Sequence, residues 1–213
     1  MINAIQPKPY ALAIHTASPD LGLALSNFSA GNVSAATRHQ SWALGRDLST
    51  HLHLYLAEFL HPQHWSDLGF LAVAKGPGGF TGTRIGVVTA RTLAQQLDIP
   101  LFTVSTLAAI AQTHRFASPL STDLAVQMPA QRGEVHVAIY SADLQPLLTD
   151  QVMSQDQWQQ TLSTWQAPYH LITAEAGLGA TAPAVLHLAY RAWQSGDRPD
   201  WSEALPFYGQ SPV

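Results

Sequence analysis

A glycine-rich run at residues 75–84 (KGPGGFTGTR) is the stretch whose composition most suggests chemistry. It lies between an apolar segment typical of a buried strand and a segment with helical spacing, where loops that cradle phosphates occur. The free backbone N–H groups at the start of the following helix could bind an anion. Candidate residues for such a nucleotide or structural loop are Gly76, Gly78, Gly79, Thr81, Gly82 and Arg84.

Neither common nucleotide-binding motif fits this loop. A P-loop places its second glycine five residues after the first and follows it with lysine, but the residues five positions after the first three glycines are Thr81, Thr83 and Arg84. The dinucleotide fingerprint fails because its third glycine would fall on Thr81. Two interpretations stay open, an anion site and a purely structural loop. The residues alone favour the structural loop, in which glycines adopt positive φ angles and allow close packing.

Other reactive side chains do not form a recognisable site. His51 and His53 are two residues apart on a predicted helix and point in different directions, and His61 and His64 flank a proline without a third ligand nearby. The chain has no cysteine, which excludes disulfides, zinc–thiolate sites and a cysteine nucleophile. No Gly-x-Ser-x-Gly elbow occurs either. The histidines are therefore interpreted as surface or packing residues, and no metal site is expected.

Composition describes an ordinary folded protein with few charges. The 213 residues are 46% hydrophobic and 11% charged, with a net charge of −4 and ten Lys and Arg scattered along the chain. Without a basic cluster we expect weak tRNA binding by the isolated chain, because phosphate contacts are made by clustered cations. The absence of a signal-like N-terminus and of an apolar run of about 18 residues predicts a cytoplasmic protein that does not contact membranes.

The elements that must position the loop are predicted from hydrophobic period. Apolar runs predict early strands, Leu68 to Ala74 reads as a strand buried on both faces, and Ser105 can cap a helix reaching about His114. The predicted order is strands at 10–15, 23–28 and 33–42, a helix at 47–61, a strand at 68–74, a helix from about 83 to 97, a strand at 101–104 and the capped helix.

A weaker echo of the same order follows in the second half of the chain. Strands are predicted at 124–128, 135–140 and 147–153, then helices at 157–165 and 182–194 and a mostly extended tail from residue 197. Four tryptophans, at positions 158, 165, 193 and 201, are predicted as core or interface anchors. The pattern predicts two related α/β lobes, with domains at 1–115 and 116–213.

The helix predicted at 47–61 carries more apolar surface than one core face needs. Leu54 lies outside the stripe formed by the other apolar positions, which favours a second packing partner. The alternative is that the stripe is buried against the chain's own sheet. The residues predicted at a partner interface are Leu48, Leu52, Leu54, Tyr55 and Phe59.

From Gly76 to Ala111 (GPGGFTGTRIGVVTARTLAQQLDIPLFTVSTLAAIA) the chain resembles the bacterial TsaB (YeaZ) family. Members of that family are a subunit of the machinery that makes threonylcarbamoyladenosine in tRNA. The family's sequence pattern in this region is a GPGSFTGLRIG loop, a helix and an IP-x-x-x-VS-x-L segment. Supporting similarities occur at 13–25 (AIHTASPDLGLAL), 46–56 (RDLSTHLHLYL) and 131–140 (QRGEVHVAIY). The resemblance covers most of residues 10–140.

The resemblance implies the actin-like ATPase superfamily fold, two ribonuclease H-like lobes that are each a mixed sheet with flanking helices. It implies a non-catalytic subunit required for modifying adenosine 37 in tRNAs that read codons beginning with A, acting by binding and activating a TsaD-like catalytic subunit. A TsaE-like ATPase, a homodimer and tRNA held through the complex are the other implied partners. The helices at 47–61 and 84–97 would form a four-helix bundle with TsaD or with a second copy.

Several departures from the superfamily remove charge and ligands. Thr106 and Ile110 stand where TsaD has a metal-binding His-x-x-x-His pair, and His15 stands where the family has a first-strand Asp. Pro129 and Gln131 stand where the family's second lobe shows Asp and Arg. No cofactor is therefore expected in the isolated chain, and ATP or ADP only at a site shared with partners. The alternative function, a stand-alone actin-like ATPase or kinase, is disfavoured by the same changes.

Overall fold

The first half of the chain forms a five-stranded mixed sheet. The computed structural model describes residues 8, 10–28, 37–118, 121–174 and 176–209. The strands are β1 (Tyr10–His15), β2 (Asp20–Asn27), β3 (Arg38–Ala43), β4 (Leu68–Ala74) and β5 (Leu101–Val104), in the order β3-β2-β1-β4-β5. The first three form an antiparallel meander, and β4 and β5 extend it in parallel. Helices α1 (Leu48–Leu60), α2 (Phe80–Leu97) and α3 (Thr106–Ala117) connect and follow these strands.

The second half repeats this arrangement with one strand fewer. Strands β6 (Asp123–Pro129), β7 (Val135–Tyr140), β8 (Pro146–Met153) and β9 (Tyr169–Thr173) lie in the order β8-β7-β6-β9, with helices α4 (Gln155–Thr164) and α5 (Ala182–Gln194). Here too an antiparallel meander is extended by a parallel strand. The predicted fold class, two mixed sheets flanked by helices, is confirmed. No helix in the described ranges has the length and apolarity to cross a bilayer.

Each half of the chain contributes one helix that packs on the sheet of the other half. Apolar side chains of α1 and α2 cover one face of the first sheet, while α5, from the far end of the chain, covers the other face. Helix α3 packs on the second sheet, whose opposite face is covered by α4. The predicted domain boundary at residue 115 stays a prediction, because α3 from the first half packs on the second sheet and α5 from the second half packs on the first sheet.

Most predicted elements have the expected positions. Strand β4 is buried along its whole length, and the Ser105 hydroxyl accepts a hydrogen bond from the Ala108 N–H, so it caps α3 as predicted. The strand predicted at 33–42 is observed only from Arg38, and residues 29–36 lie outside the described residues. Of the four tryptophans, Trp158 is fully buried and the others are half-buried.

The helix after the glycine loop begins earlier than predicted. It starts at Phe80 rather than near Thr83, with Gly79 in an extended conformation as its N-cap. Thr81 and Gly82 therefore belong to the first helical turn and not to the loop. The low helix propensity of glycine predicted a loop, but here glycine is required inside the helix because another segment approaches its backbone.

Candidate functional site

The glycine loop is held against the turn at residues 16–19 that joins β1 to β2. A Cβ atom added at Gly78 would lie 2.2 Å from the Ala17 carbonyl oxygen, and one at Gly82 would lie 2.3 Å from that of Thr16. The Thr16 hydroxyl donates a 2.8 Å hydrogen bond to the Gly82 carbonyl, and the Gly79 N–H donates one of 2.8 Å to the Ala17 carbonyl. These contacts support the structural interpretation of the loop.

Gly76 is required for a second reason. Its φ of +101° lies in the region that favours glycine. An added Cβ would lie 2.1 Å from the carbonyl oxygen of Phe207. The Phe207 N–H in turn donates a 2.7 Å hydrogen bond to the Lys75 carbonyl. The segment at residues 207–209 is thereby attached to the loop that follows β4.

Gly78→Ala is expected to destabilise the protein by about 2 kcal/mol, because the new methyl group overlaps a backbone oxygen that cannot rotate away. Gly79→Ala is the matched control, since Gly79 has φ −61° and the nearest atom to its added Cβ is 3.7 Å away. Thermal denaturation of both variants measures the difference. Equal melting temperatures would contradict the close-packing role of Gly78.

The remaining candidate loop residues are exposed. Thr81 and Arg84 lie on the solvent-facing side of the first turns of α2. The loop positions predicted by sequence therefore separate into three glycines that pack closely against other backbone (Gly76, Gly78 and Gly82), an exposed Gly79 with room for a Cβ atom, and two exposed side chains.

A cleft of about 370 Å³ lies between the two sheets, next to this loop. One side is formed by the 16–19 turn and the glycine loop, and the other by the end of β6 and the turn after it. Its described lining consists of Ala17, Ser18, Pro19, Gly78, Gly79, Phe80, Met128, Pro129, Ala130, Gln131, His136, Leu178 and Tyr208. This lining contains no lysine, arginine, aspartate or glutamate.

The residues of the cleft do not fit a magnesium-bound triphosphate. Pro129 and Gln131, where the resemblance implied Asp and Arg, both line it, so these two positions supply neither a carboxylate for the cation nor a guanidinium for phosphate. His15 ends β1 fully buried, and its two ring nitrogens have no hydrogen-bond partner. Burial lowers the pKa of His15 to about 4, so the imidazole is neutral at pH 7 and supplies no charge.

Thr106 and Ile110, where the resemblance implied a metal-binding pair in TsaD, serve packing in this chain. Thr106 is buried and its N–H donates a 2.9 Å hydrogen bond to the Gly76 carbonyl, while Ile110 belongs to the core under the second sheet. In the part of the chain that the structure describes, no group of three or more His, Asp or Glu side chains is arranged to hold a metal ion.

Phe80, His136 and Tyr208 are among the cleft residues that the sequence did not indicate as site candidates. Phe80 stood inside the glycine run, and His136 stood inside the similarity at 131–140, yet neither has a type or spacing that marks it alone. Tyr208 comes from the far end of the chain. It lies at the cleft next to Phe207, whose N–H is hydrogen-bonded to Lys75 at the start of the glycine loop. No local pattern would have placed these three side chains together.

A second candidate surface lies on α1 and α2. Leu54 on α1 is 54% exposed and Val88 on α2 is 51% exposed, so two large apolar side chains of these helices face solvent. A groove of about 260 Å³ runs between the helices. It is lined by His53, Leu56, Trp65, Val88, Thr89, Thr92 and Leu93.

The structure corrects part of the predicted interface. Leu48, Leu52 and Phe59 are buried in the core that α1 shares with the first sheet, so they face this chain's own sheet and are not available to a partner. Tyr55 is half-buried and stacks on Trp42, with 4.8 Å between ring centroids. Leu54 alone of the five is exposed, because it lies on the helix side opposite the core stripe.

Comparisons with known proteins agree with the resemblance. A family model described as "TsaD: tRNA N6-adenosine threonylcarbamoyltransferase" matches residues 52–168, more than half of the chain. The chain is 37% identical over 105 residues to the tRNA threonylcarbamoyladenosine biosynthesis protein TsaB of Bacillus subtilis, covering 48% of this chain and 44% of that protein. It is 32% identical over 126 residues to TsaB of Escherichia coli, covering 52% and 54%.

The matches thus span about half the length of these relatives. A solved structure, YeaZ from Pseudomonas aeruginosa, superposes with a TM-score of 0.73 at 22% identity, covering 93% of this chain and 99% of that one, which shows the shared fold. The family model, the TsaB relatives and this fold agree. The chain belongs to the TsaB/YeaZ family, and its residues 52–168 match the TsaD-type family model.

Proposed function

We propose that this protein is a non-catalytic subunit of the machinery that makes threonylcarbamoyladenosine at position 37 of tRNAs reading codons that begin with A. In this role it binds and activates a TsaD-like catalytic subunit in the cytoplasm. The observation that carries the proposal is the exposed apolar pair Leu54 and Val88 beside the groove between α1 and α2. The family and the names of its TsaB relatives support the reaction.

The groove suits an apolar helical partner. Leu56, Trp65 and Leu93 form much of its lining, and the side chains of one helix pair pack well into the groove of another. Burying exposed leucine and valine side chains stabilises a complex by roughly 25 cal/mol per Å² of apolar surface. A TsaD-like subunit presenting two helices would thus complete a four-helix bundle.

Other members of the complex would supply what this chain lacks. The uncharged cleft supports a chain without ATPase activity of its own, with ATP or ADP bound only where a partner contributes to the site. Ten scattered basic residues give little counterion release, so tRNA would be held through the complex. A TsaE-like ATPase is the further proposed partner.

Leu54→Glu and Val88→Glu are expected to weaken binding to the TsaD-like subunit at least about 30-fold, which corresponds to about 2 kcal/mol for a central interface residue. A carboxylate buried against an apolar partner loses its hydration without a counter-charge. Both side chains are exposed in the free chain, so the melting temperature should be unchanged. Isothermal titration against the purified TsaD-like subunit measures the affinity.

Leu147→Glu is the matched control, because Leu147 is 48% exposed on β8, away from α1 and α2. Its affinity for the TsaD-like subunit should equal that of the wild type. Unchanged affinity in both helix variants would remove this surface from the proposal. If the variants dissociate a homodimer in sedimentation experiments and leave TsaD affinity intact, the surface belongs to a second copy of this chain instead.

A further inference from the structure

The cleft between the lobes has the polar groups of a binding site but no charge. Its described lining includes the Ser18 hydroxyl, the Gln131 amide, the His136 imidazole and the Tyr208 hydroxyl, with apolar residues between them. The Ser18 hydroxyl donates a hydrogen bond to the Asp20 carboxylate, and the Glu134 and Asp150 carboxylates lie close enough to His136 to act on its charge, so carboxylates lie just outside the lining. An anionic ligand entering the cleft would lose water and meet no cation in this lining. The lining therefore favours a ligand with hydrogen-bonding groups and no net charge.

One wall of the cleft is an aromatic pair. The rings of Phe80 and Tyr208 lie with centroids 4.4 Å apart and planes inclined by 36°, and Phe80 remains 37% exposed. The pair is held in place on both sides, because Phe80 begins α2 and Phe207 is hydrogen-bonded to Lys75. A rigid, partly exposed aromatic surface is suited to stacking with a planar ring.

His136 adds a neutral polar group at the same place. The side chain is 5% exposed, and its Nδ1 atom is buried without a hydrogen-bond partner. Burial lowers the pKa of His136 below its ordinary value, so the ring is neutral at pH 7. Gly209 lies against the imidazole, which places the ring beside the segment that carries Tyr208. Because Nδ1 is buried, Nε2 is the ring nitrogen left to meet a ligand, as one donor or one acceptor of the neutral imidazole.

We propose that this cleft binds an uncharged, planar heteroaromatic molecule of nucleoside size and discriminates against its phosphate esters. The volume of about 370 Å³ lies within the range of small-molecule sites. The ligand's ring stacks on the Phe80–Tyr208 pair, and its polar edge meets the neutral side chains. The site is thus distinct in chemistry from a magnesium–nucleotide site, and it does not depend on the proposed partner surface.

The full chain is titrated with adenosine and, separately, with Mg·ATP. Binding is monitored by ligand-observed and protein-observed NMR. Adenosine should bind saturably, and at least about tenfold more tightly than Mg·ATP. Phe80→Leu and Tyr208→Leu should each weaken adenosine binding about tenfold, since stacking of a base on an aromatic ring is lost. Tyr169→Leu is the control, because Tyr169 on β9 is also 37% exposed and does not line the cleft.

A measurement on the wild type guards against variants that fail to fold. Intermolecular nuclear Overhauser effects between the adenine protons and the ring protons of Phe80 and Tyr208 are expected. Absence of saturable adenosine binding, or Mg·ATP binding as tight as adenosine, would overturn the proposal. So would saturable binding that gives no contacts to these two rings, because the ligand would then lie elsewhere.

Discussion

Gly22→Ala should lower the free energy of unfolding by about 3 kcal/mol, at the upper end of the usual cost of overpacking. Gly22 lies inside β2, directly below the short helical turn Leu178–Thr181. An added Cβ atom would lie 2.0 Å from the carbonyl oxygen of Gly179, far inside van der Waals contact. Both segments are backbone in buried surroundings, so neither can relax without moving a sheet or a turn that bears on α5.

The melting temperature of Gly22→Ala should fall by about 6–12 °C for a chain of this length. Gly45→Ala is the comparison variant. Gly45 has φ +54° but no atom within 4 Å of its added Cβ, so only backbone strain of about 1 kcal/mol is expected there. Calorimetry of the two variants separates crowding from strain. A smaller loss in Gly22→Ala than in Gly45→Ala would show that the 178–181 turn does not press on β2.

Trp158→Ala is the second change with a large expected effect, a loss of about 3–5 kcal/mol in the free energy of unfolding. Trp158 on α4 is fully buried in the core between α4 and the second sheet, on the face opposite α3, where it packs with Val137 and Leu162. Its ring N–H donates a hydrogen bond to the Gln127 side-chain oxygen. Alanine would leave a large cavity and would also remove the partner of that amide.

Trp158→Phe separates the two contributions. It keeps most of the ring volume and loses the N–H, so a loss of about 1–2 kcal/mol is expected for the partly buried Gln127 acceptor left without its donor. Denaturant unfolding followed by circular dichroism measures both variants. If Trp158→Ala lowers the free energy of unfolding by less than Trp158→Phe does, burial of the Trp158 ring does not stabilise the packing of α4 on the second sheet.

Local patterns predicted the elements where neighbours along the chain decide the conformation. The apolar run of β4 needs only to be buried on both faces, and the Ser105 cap needs only an N–H three residues away. Helix α1 was bounded to within one residue, since its hydrophobic period runs up to a proline. Such features depend on interactions within a few residues, which a single sequence displays.

The partner surface on α1 depends on packing that a helical pattern does not report. A hydrophobic stripe on a helix reports apolar residues but not what covers them. In α1 the stripe through Leu52 and Phe59 faces the chain's own sheet, and Leu54, outside the stripe, is the exposed position. The sequence showed that Leu54 lies apart from the others. Only the packing of α1 on the sheet decides which side is free.

By itself the sequence determined most of the strands and helices, the class of two mixed sheets flanked by helices and the resemblance carried by the glycine loop. It did not predict β9 (Tyr169–Thr173), a five-residue strand whose pairing with β6 is a tertiary contact. Tertiary structure decided what those parts do. Gly22 meets Gly179, and Phe80 meets Tyr208, because α5 and the tail return from the end of the chain to the first lobe. Contacts between such distant residues are set by how helices and sheets pack, and residue type and spacing do not encode them locally. The uncharged cleft is therefore a property of the assembled lobes.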